Sequence, residues 1–207
     1  MIIEIKKDEL DKIKESTKEF GSFGGNSTLY GKSFKYFNNM NVDLLRTIEP
    51  TLWNLANFKV EGVALPIDIV YCDEELVGYT KPFYQGIIVA DYLKNIKSTD
   101  SIEVEKYLDD ILNKLYDLAN LGISTYDVSA KNLVYSNGNM CLFDCDFYFY
   151  SPDRAPEEAY QKSLAYFLLS VEHDQGTIKS FTKATKNRTI EYVGAHPYNV
   201  LKKSREK

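Results

Sequence analysis

The dominant hydrophobic period of this 207-residue chain changes at Pro82, with strands prevailing before it and helices after it. Ahead of it, apolar and aromatic residues come in short runs broken by glycines and acidic turns, the pattern of strands. Behind it, Ile102, Tyr107, Leu108, Ile111, Leu112, Leu115, Leu118 and Ala119 recur every three or four residues. That spacing predicts a long amphipathic helix ending at Gly122. A chain so divided is α+β, with a β-rich amino-terminal part and a mainly helical carboxy-terminal part. The length leaves room for one globular domain or for two small lobes sharing a cleft, and the change of pattern puts the expected division between 1–83 and 84–207. With 44% hydrophobic residues the chain can fill a core and is not disordered.

Within the first part, residues 1–20 read as a short Ile/charge segment and a charged helix. Gly21, Gly24, Gly25 and Gly31 then punctuate a Ser-, Thr- and aromatic-rich stretch, which predicts strand, turn, strand. Leu29 to Phe37 reads as one strand carrying Lys32 and Lys35, closed by Asn38-Asn39. Leu44, Leu45, Ile48, Leu52 and Leu55 have helical spacing, with Pro50 interrupting it and placed to restart the helix. Ile67–Tyr71 and Leu76–Thr80 read as strands joined by an acidic turn, followed by a Lys81-Pro82-Phe83 linker. In the second part, Leu133–Tyr135 and Met140–Phe143 form an expected hairpin around Asn137-Gly138. A helix over 157–172 follows, with Gly176 near its stop.

Charge and composition exclude several classes of function. A net charge of -5 argues against nonspecific nucleic-acid binding, which needs a field of cations to displace phosphate counterions. Residues 177–207 carry eight Lys/Arg and two acids, either a solvated basic tail or a patch for an acidic partner. Apolar runs such as Tyr166-Phe167-Leu168-Leu169 are too short for a bilayer, so no membrane partner is expected. The amino terminus turns charged at once, which points to a cytoplasmic protein. Cys72, Cys141 and Cys145 are odd in number and lack C-x-x-C spacing, so free thiols are expected in place of a disulfide framework or zinc site. His173 and His196 have no nucleophile or ligand at a meaningful spacing.

The chemistry concentrates in Thr125-Tyr126-Asp127-Val128-Ser129-Ala130-Lys131-Asn132, the hairpin, and Leu142-Phe143-Asp144. Asp127 and Asn132 lie five apart across a tight loop, and the hairpin returns Asp144 beside Asn132. Carboxylate and amide oxygens suit a hard cation such as Mg2+, and phosphoryl transfer needs such a set to hold metal and phosphates while an acceptor hydroxyl is oriented.

This D-x4-N-x11-D pattern, with helix, loop, hairpin and second Asp in that order, resembles the protein-kinase-like superfamily. The resemblance covers residues of about 15 to 150. It implies a two-lobed fold, ATP and Mg2+ as cofactors, and transfer to a Ser, Thr or Tyr hydroxyl of a protein. Asp127 would accept the acceptor's proton, with Lys131 meeting the γ-phosphate; Asn132 and Asp144 would hold metal, Asp146 being the alternative to Asp144. Gly21, Gly24 and Gly25 resemble the glycine-rich loop over the nucleotide phosphates. Ser33-Phe34-Lys35-Tyr36-Phe37 resembles the strand whose lysine meets the α/β-phosphates, with Lys32 as competitor and Glu49 as helix partner. Val77 to Tyr84 resembles the last strand and hinge.

Thr125 and Tyr126 stand where the family carries His and Arg, which implies activity without a phosphorylated activation loop. Ala155-Pro156-Glu157 matches the motif that ends that loop, so any such loop after Asp144 is short. Two other readings share these residues. One is a small-molecule kinase of the aminoglycoside- and choline-kinase type; the other is a non-catalytic binding module.

Overall fold

Six short strands in the first 81 residues assemble into one sheet, and their pairing fixes what each side chain faces. The strands are β1 (Ile2–Glu4), β2 (Phe20–Gly21), β3 (Gly24–Leu29), β4 (Lys32–Phe37), β5 (Asp68–Cys72) and β6 (Glu75–Lys81), in the order β1-β5-β6-β4-β3-β2. All neighbours are antiparallel except β1, which runs parallel to β5. The computed structural model describes residues 1–17, 20–21, 24–38, 40–91, 101–144 and 147–173. Ser22 and Phe23 of the glycine stretch, Asn39, Cys145, Asp146, Gly176, His196 and the basic segment 177–207 lie outside the described residues.

The fold is mixed α+β and divides into two compact units, Met1–Lys59 with Ala64–Phe83 and Val60–Val63 with Tyr84–Lys207. Residues 60–63 group with the second unit because the Gly62 carbonyl accepts the Leu142 N–H at 2.8 Å and Val63 bridges to Leu142.

In the first unit, two hairpin turns have positive φ at both central residues: Tyr30 (49°) with Gly31 (76°), and Asp73 (52°) with Glu74 (65°). That handedness matches the twist of the strands they join. The first turn divides the expected strand Leu29–Phe37, so β4 begins only at Lys32, and much of the expected glycine loop is the strand β3. A tyrosine at positive φ is not a turn signal that sequence offers, and Gly31 alone carried the cue.

Alternation along β4 sends Phe34 and Tyr36 to one face, where they pack with Ile5, Leu29, Val70, Cys72 and Leu10 of helix α1 (Lys7–Ser16). Lys35 and Phe37 take the other face. Tyr71, between Val70 and Cys72 of the first cluster, also takes that second face. There it meets Glu49 and Trp53 of helix α2 (Val42–Leu55).

Helix α2 starts at Asn41, whose side chain accepts the Asp43 N–H at 2.9 Å, a side-chain N-cap. It runs through Pro50 without the expected restart. Proline removes only the N–H that would return to Arg46, while the buried Leu52 and Leu55 hold the last turn against the core.

The second unit contains β7 (Ile87–Ile88), helix α3 (Ser101–Asn120), β8 (Ile123–Thr125), β9 (Leu133–Ser136), β10 (Asn139–Leu142), β11 (Tyr148–Tyr150) and helix α4 (Pro156–His173). The strands form two small sheets, β10-β9-β7 and β11-β8. Asn137 (φ 50°) and Gly138 (φ 82°) make the expected two-residue turn between β9 and β10. Helix α3 stops at Gly122 (φ 73°), where a Cβ would lie 2.6 Å from the Ser151 carbonyl oxygen. Helix α4 opens on Pro156, suited to a first helical position, and buries Ala159, Tyr160, Ser163, Leu164 and Phe167. No helix among the described residues is long and apolar enough to cross a membrane.

Candidate active site

The loop between β8 and β9 is held from three sides. Thr125, fully buried at the end of β8, donates its N–H to Ser163 Oγ of α4 at 3.0 Å, and Ser163 in turn donates to the Ala159 carbonyl. Tyr126 donates its N–H to the Phe147 carbonyl at 3.1 Å. Val128 is fully buried, and a single 3-10 turn over Ala130–Asn132 leads into β9. Asp127 is half-buried between these anchors, and Lys131 is exposed on the turn.

Asn132 links the loop to the hairpin. Its Nδ2 donates to the Asp127 carbonyl at 3.2 Å, and its own carbonyl accepts the Phe143 N–H at 3.0 Å. Asp144 follows Phe143 directly and is half-buried. Because a carbonyl accepts from it, the Asn132 amide must present nitrogen to Asp127, so Oδ1 is the atom that could ligate a cation. The backbone thus brings the Asp127 loop, Asn132 and the approach to Asp144 together.

An amide oxygen and a carboxylate are hard donors that fit Mg2+, which keeps several waters and takes few protein ligands. Among the described residues no group of three or more His, Cys, Asp or Glu could hold a metal. A cation here would therefore have two protein side chains, with phosphate and water completing its shell.

In the first unit, Lys35 lies at the centre of β4, 3% exposed, with Asn26 of β3 and Tyr79 of β6 directly opposite on its two sides. Opposed residues share a face, and so do residues two apart. Asn26, Lys35, Tyr79 and Lys81 therefore share one face of the sheet. Lys81 is fully buried, its Nζ 6.0 Å from the Tyr79 ring centroid. The Asn26 side-chain oxygen is buried without a hydrogen-bond partner. The sequence pattern puts Lys81 in a linker and gives no signal for Asn26; the register between β3, β4 and β6 supplies it.

Lys32, three residues before Lys35, falls on the opposite face. Its Nζ lies 2.6 Å from Oδ2 of Asp68, which also accepts the Thr80 hydroxyl at 2.6 Å. Burial pushes the Asp68 carboxyl up, but the bonds from Lys32 and Thr80 and the nearby positive charge outweigh it, leaving it below its ordinary value. Glu49 accepts the Tyr71 phenol, which also accepts the Trp53 indole N–H at 3.2 Å. Burial and that carboxylate both raise the Tyr71 pKa.

The glycines have a packing role visible in the structure. A Cβ on Gly24 would lie 1.8 Å from the Tyr36 carbonyl oxygen, and one on Gly25 would lie 2.3 Å from the Tyr36 phenol oxygen. Gly21 pairs with Gly24 across β2 and β3.

A cavity of about 400 Å³ opens in the second unit, lined among others by Glu61, Tyr84, Asp110, Lys114, Asp117 and Cys141. Burial pushes the Tyr84 phenol up to about 12 and raises the Cys141 thiol as well. Asp110 Oδ1 accepts Lys114 Nζ at 2.6 Å and Oδ2 accepts the Met140 N–H at 2.7 Å, tying α3 to the hairpin.

No protein-family model matches this chain, and no curated protein matches its sequence.

Proposed function

We propose that the chain is an ATP- and Mg2+-dependent phosphotransferase of compact, two-lobed protein-kinase-like fold, acting on a Ser, Thr or Tyr hydroxyl of a protein. The observation that carries this reading is Asn132, bonded through Nδ2 to the Asp127 carbonyl and through its carbonyl to the N–H preceding Asp144. The first bond is made by the side chain and holds the loop; the second is a main-chain bond that continues the β9–β10 pairing beyond Leu133 and Leu142. Together they bring the backbone at Asp127 close to the approach to Asp144, which supports a site of one acceptor-facing carboxylate and two metal-binding oxygens.

In this reading Asp127 orients the acceptor hydroxyl and takes its proton, as a carboxylate within hydrogen-bond reach can do. Asn132 Oδ1 and the Asp144 carboxylate would hold Mg2+, which would supply charge neutralisation for the phosphates. Lys35 serves the nucleotide phosphates, with Lys81 adding positive charge on the same sheet face. Lys131, exposed on the turn, would meet the γ-phosphate as a solvated cation. The structure supports Lys35 over Lys32 for the phosphate role, because Lys32 faces away and is engaged by Asp68.

The deciding experiment is phosphate transfer from labelled ATP by purified protein, wild type against Asp127→Ala and Asp144→Ala. Loss of transfer in both variants is expected, and equal signal in all three would refute catalysis. A thermal shift with ATP, with and without Mg2+, separates the enzyme from a non-catalytic binding module: stabilisation that needs the metal is expected.

A further inference from the structure

Tyr126, the residue immediately before Asp127, does more than connect β8 to the loop. Its ring centroid lies 4.6 Å from that of Phe149 on β11 and 4.5 Å from that of Tyr166 on α4, with interplanar angles of 46° and 54°. These are close tilted contacts, the geometry in which ring edges meet ring faces favourably. Phe149 and Tyr166 are 43% and 44% exposed, so the trio lies at the surface and adds little to the core. An aromatic cluster so placed has a local consequence: it fixes the direction in which the next residue leaves.

Both neighbours of Asp127 are thereby immobilised. On one side the Tyr126 ring is gripped by two elements while its N–H bonds to Phe147. On the other, Val128 is fully buried. Asn132 holds the Asp127 carbonyl from a third direction. Among the described residues, the grips on Tyr126 are ring contacts and a backbone bond.

We propose that Tyr126 is a positioning residue: clamped between Phe149 and Tyr166, it holds the Asp127 loop in its working conformation without a charge or covalent modification. The inference rests on the phosphotransferase reading for its catalytic consequence, but its physical content can be measured without activity. A lock made of rings is insensitive to ionic strength, whereas an exposed lock made of charges would be screened.

The test uses the full chain and the variants Tyr126→Phe, Tyr126→Ala, Tyr166→Ala and Asp127→Asn. Hydrogen exchange of the Tyr126 and Asn132 amides is read beside ADP release from ATP with Mg2+. In Tyr126→Ala and Tyr166→Ala both amides are expected to exchange roughly tenfold faster, the size of effect that loss of one or two ring contacts supports. The kcat should fall by a similar factor with KM for ATP unchanged. Tyr126→Phe, which keeps the ring, should restore both readouts, and exchange should be the same in low and high salt.

Exchange within twofold of wild type in both alanine variants would overturn the clamp, as would Tyr126→Phe behaving like Tyr126→Ala. Tyr166→Ala truncates a half-exposed side chain, so it remains informative if Tyr126→Ala does not fold. Wild-type turnover in Asp127→Asn would instead refute the phosphotransferase reading, and amide exchange would still decide for or against the clamp.

Discussion

Replacing Asp110 by alanine should weaken the second unit by about 3 kcal/mol, and the size follows from what the carboxylate holds. One oxygen takes the Lys114 ammonium at 2.6 Å and the other takes the Met140 N–H at 2.7 Å. The Lys114 side chain is only 9% exposed, so deleting its partner leaves a nearly buried charge, a loss of about 3–5 kcal/mol when the site is dry. The cavity beside it admits water, which favours the lower end of that range. The orphaned Met140 N–H adds a cost of about 1–3 kcal/mol if unsolvated, but the same water can serve it. The two losses share one site and do not add.

Asp110→Asn keeps one acceptor and loses the charge, so about half the effect is expected. Adding Lys114→Met to Asp110→Ala removes the stranded ammonium and should recover about 1.5 kcal/mol or more. Urea unfolding reads all four proteins, and a shift of midpoint at constant m-value is the expected form. An Asp110→Ala loss under 1 kcal/mol, or no recovery in the double variant, would refute the reasoning. The outcome also bears on the candidate site, because Met140 lies on the hairpin flanked by Asn132 and Asp144.

Two further outcomes follow from the first unit. Gly25→Ala should cost about 1–3 kcal/mol by overpacking, since the new Cβ would lie 2.3 Å from the phenol oxygen of a fully buried Tyr36; a drop in ATP affinity with no change in melting temperature would instead make Gly25 a phosphate contact. Asp68 has a folded pKa below the ordinary 3.8, so the folded state favours its charged form. Its stabilisation is complete above the unfolded value and is lost as pH falls through the lower folded one. Melting temperature should therefore fall on acidification below about pH 4 more steeply in wild type than in Asp68→Asn, and parallel curves would sink the assignment.

How much of this was legible in the sequence depended on whether a feature is local. The long helix, the Asn137-Gly138 hairpin and the Asp127–Asn132 spacing are local patterns, and the structure contains the helix and hairpin where the periods placed them. The strand Leu29–Phe37 failed because its break sits at Tyr30, whose positive φ is imposed by the pairing of β3 with β4 and is not preferred by tyrosine. Pro50 misled for a related reason: an intrinsic helix breaker is tolerated when buried residues on the following turn hold the helix down. The short strands β7, β8 and β11 have two or three residues each, too few for a period to register.

Register explains the remaining gap, and it bears directly on the lysines. Lys32 and Lys35 look interchangeable in sequence, three apart in one apolar stretch. Once β4 is a strand, an odd separation puts them on opposite faces, and the partner strands then decide their fates. On one face Asp68 and Thr80 wait for Lys32; on the other, Asn26 and Tyr79 flank Lys35 and Lys81 joins them. A one-residue slip of β4 against β6 would flip the whole strand, turning Lys35 towards the face of α1 and carrying Lys32, Phe34 and Tyr36 to the other face. The pairing that buries those two rings therefore also fixes which face Lys35 takes, the lysine proposed to serve the phosphates, and a substitution that weakens ring packing on the α1 face should blur that register before it unfolds the sheet.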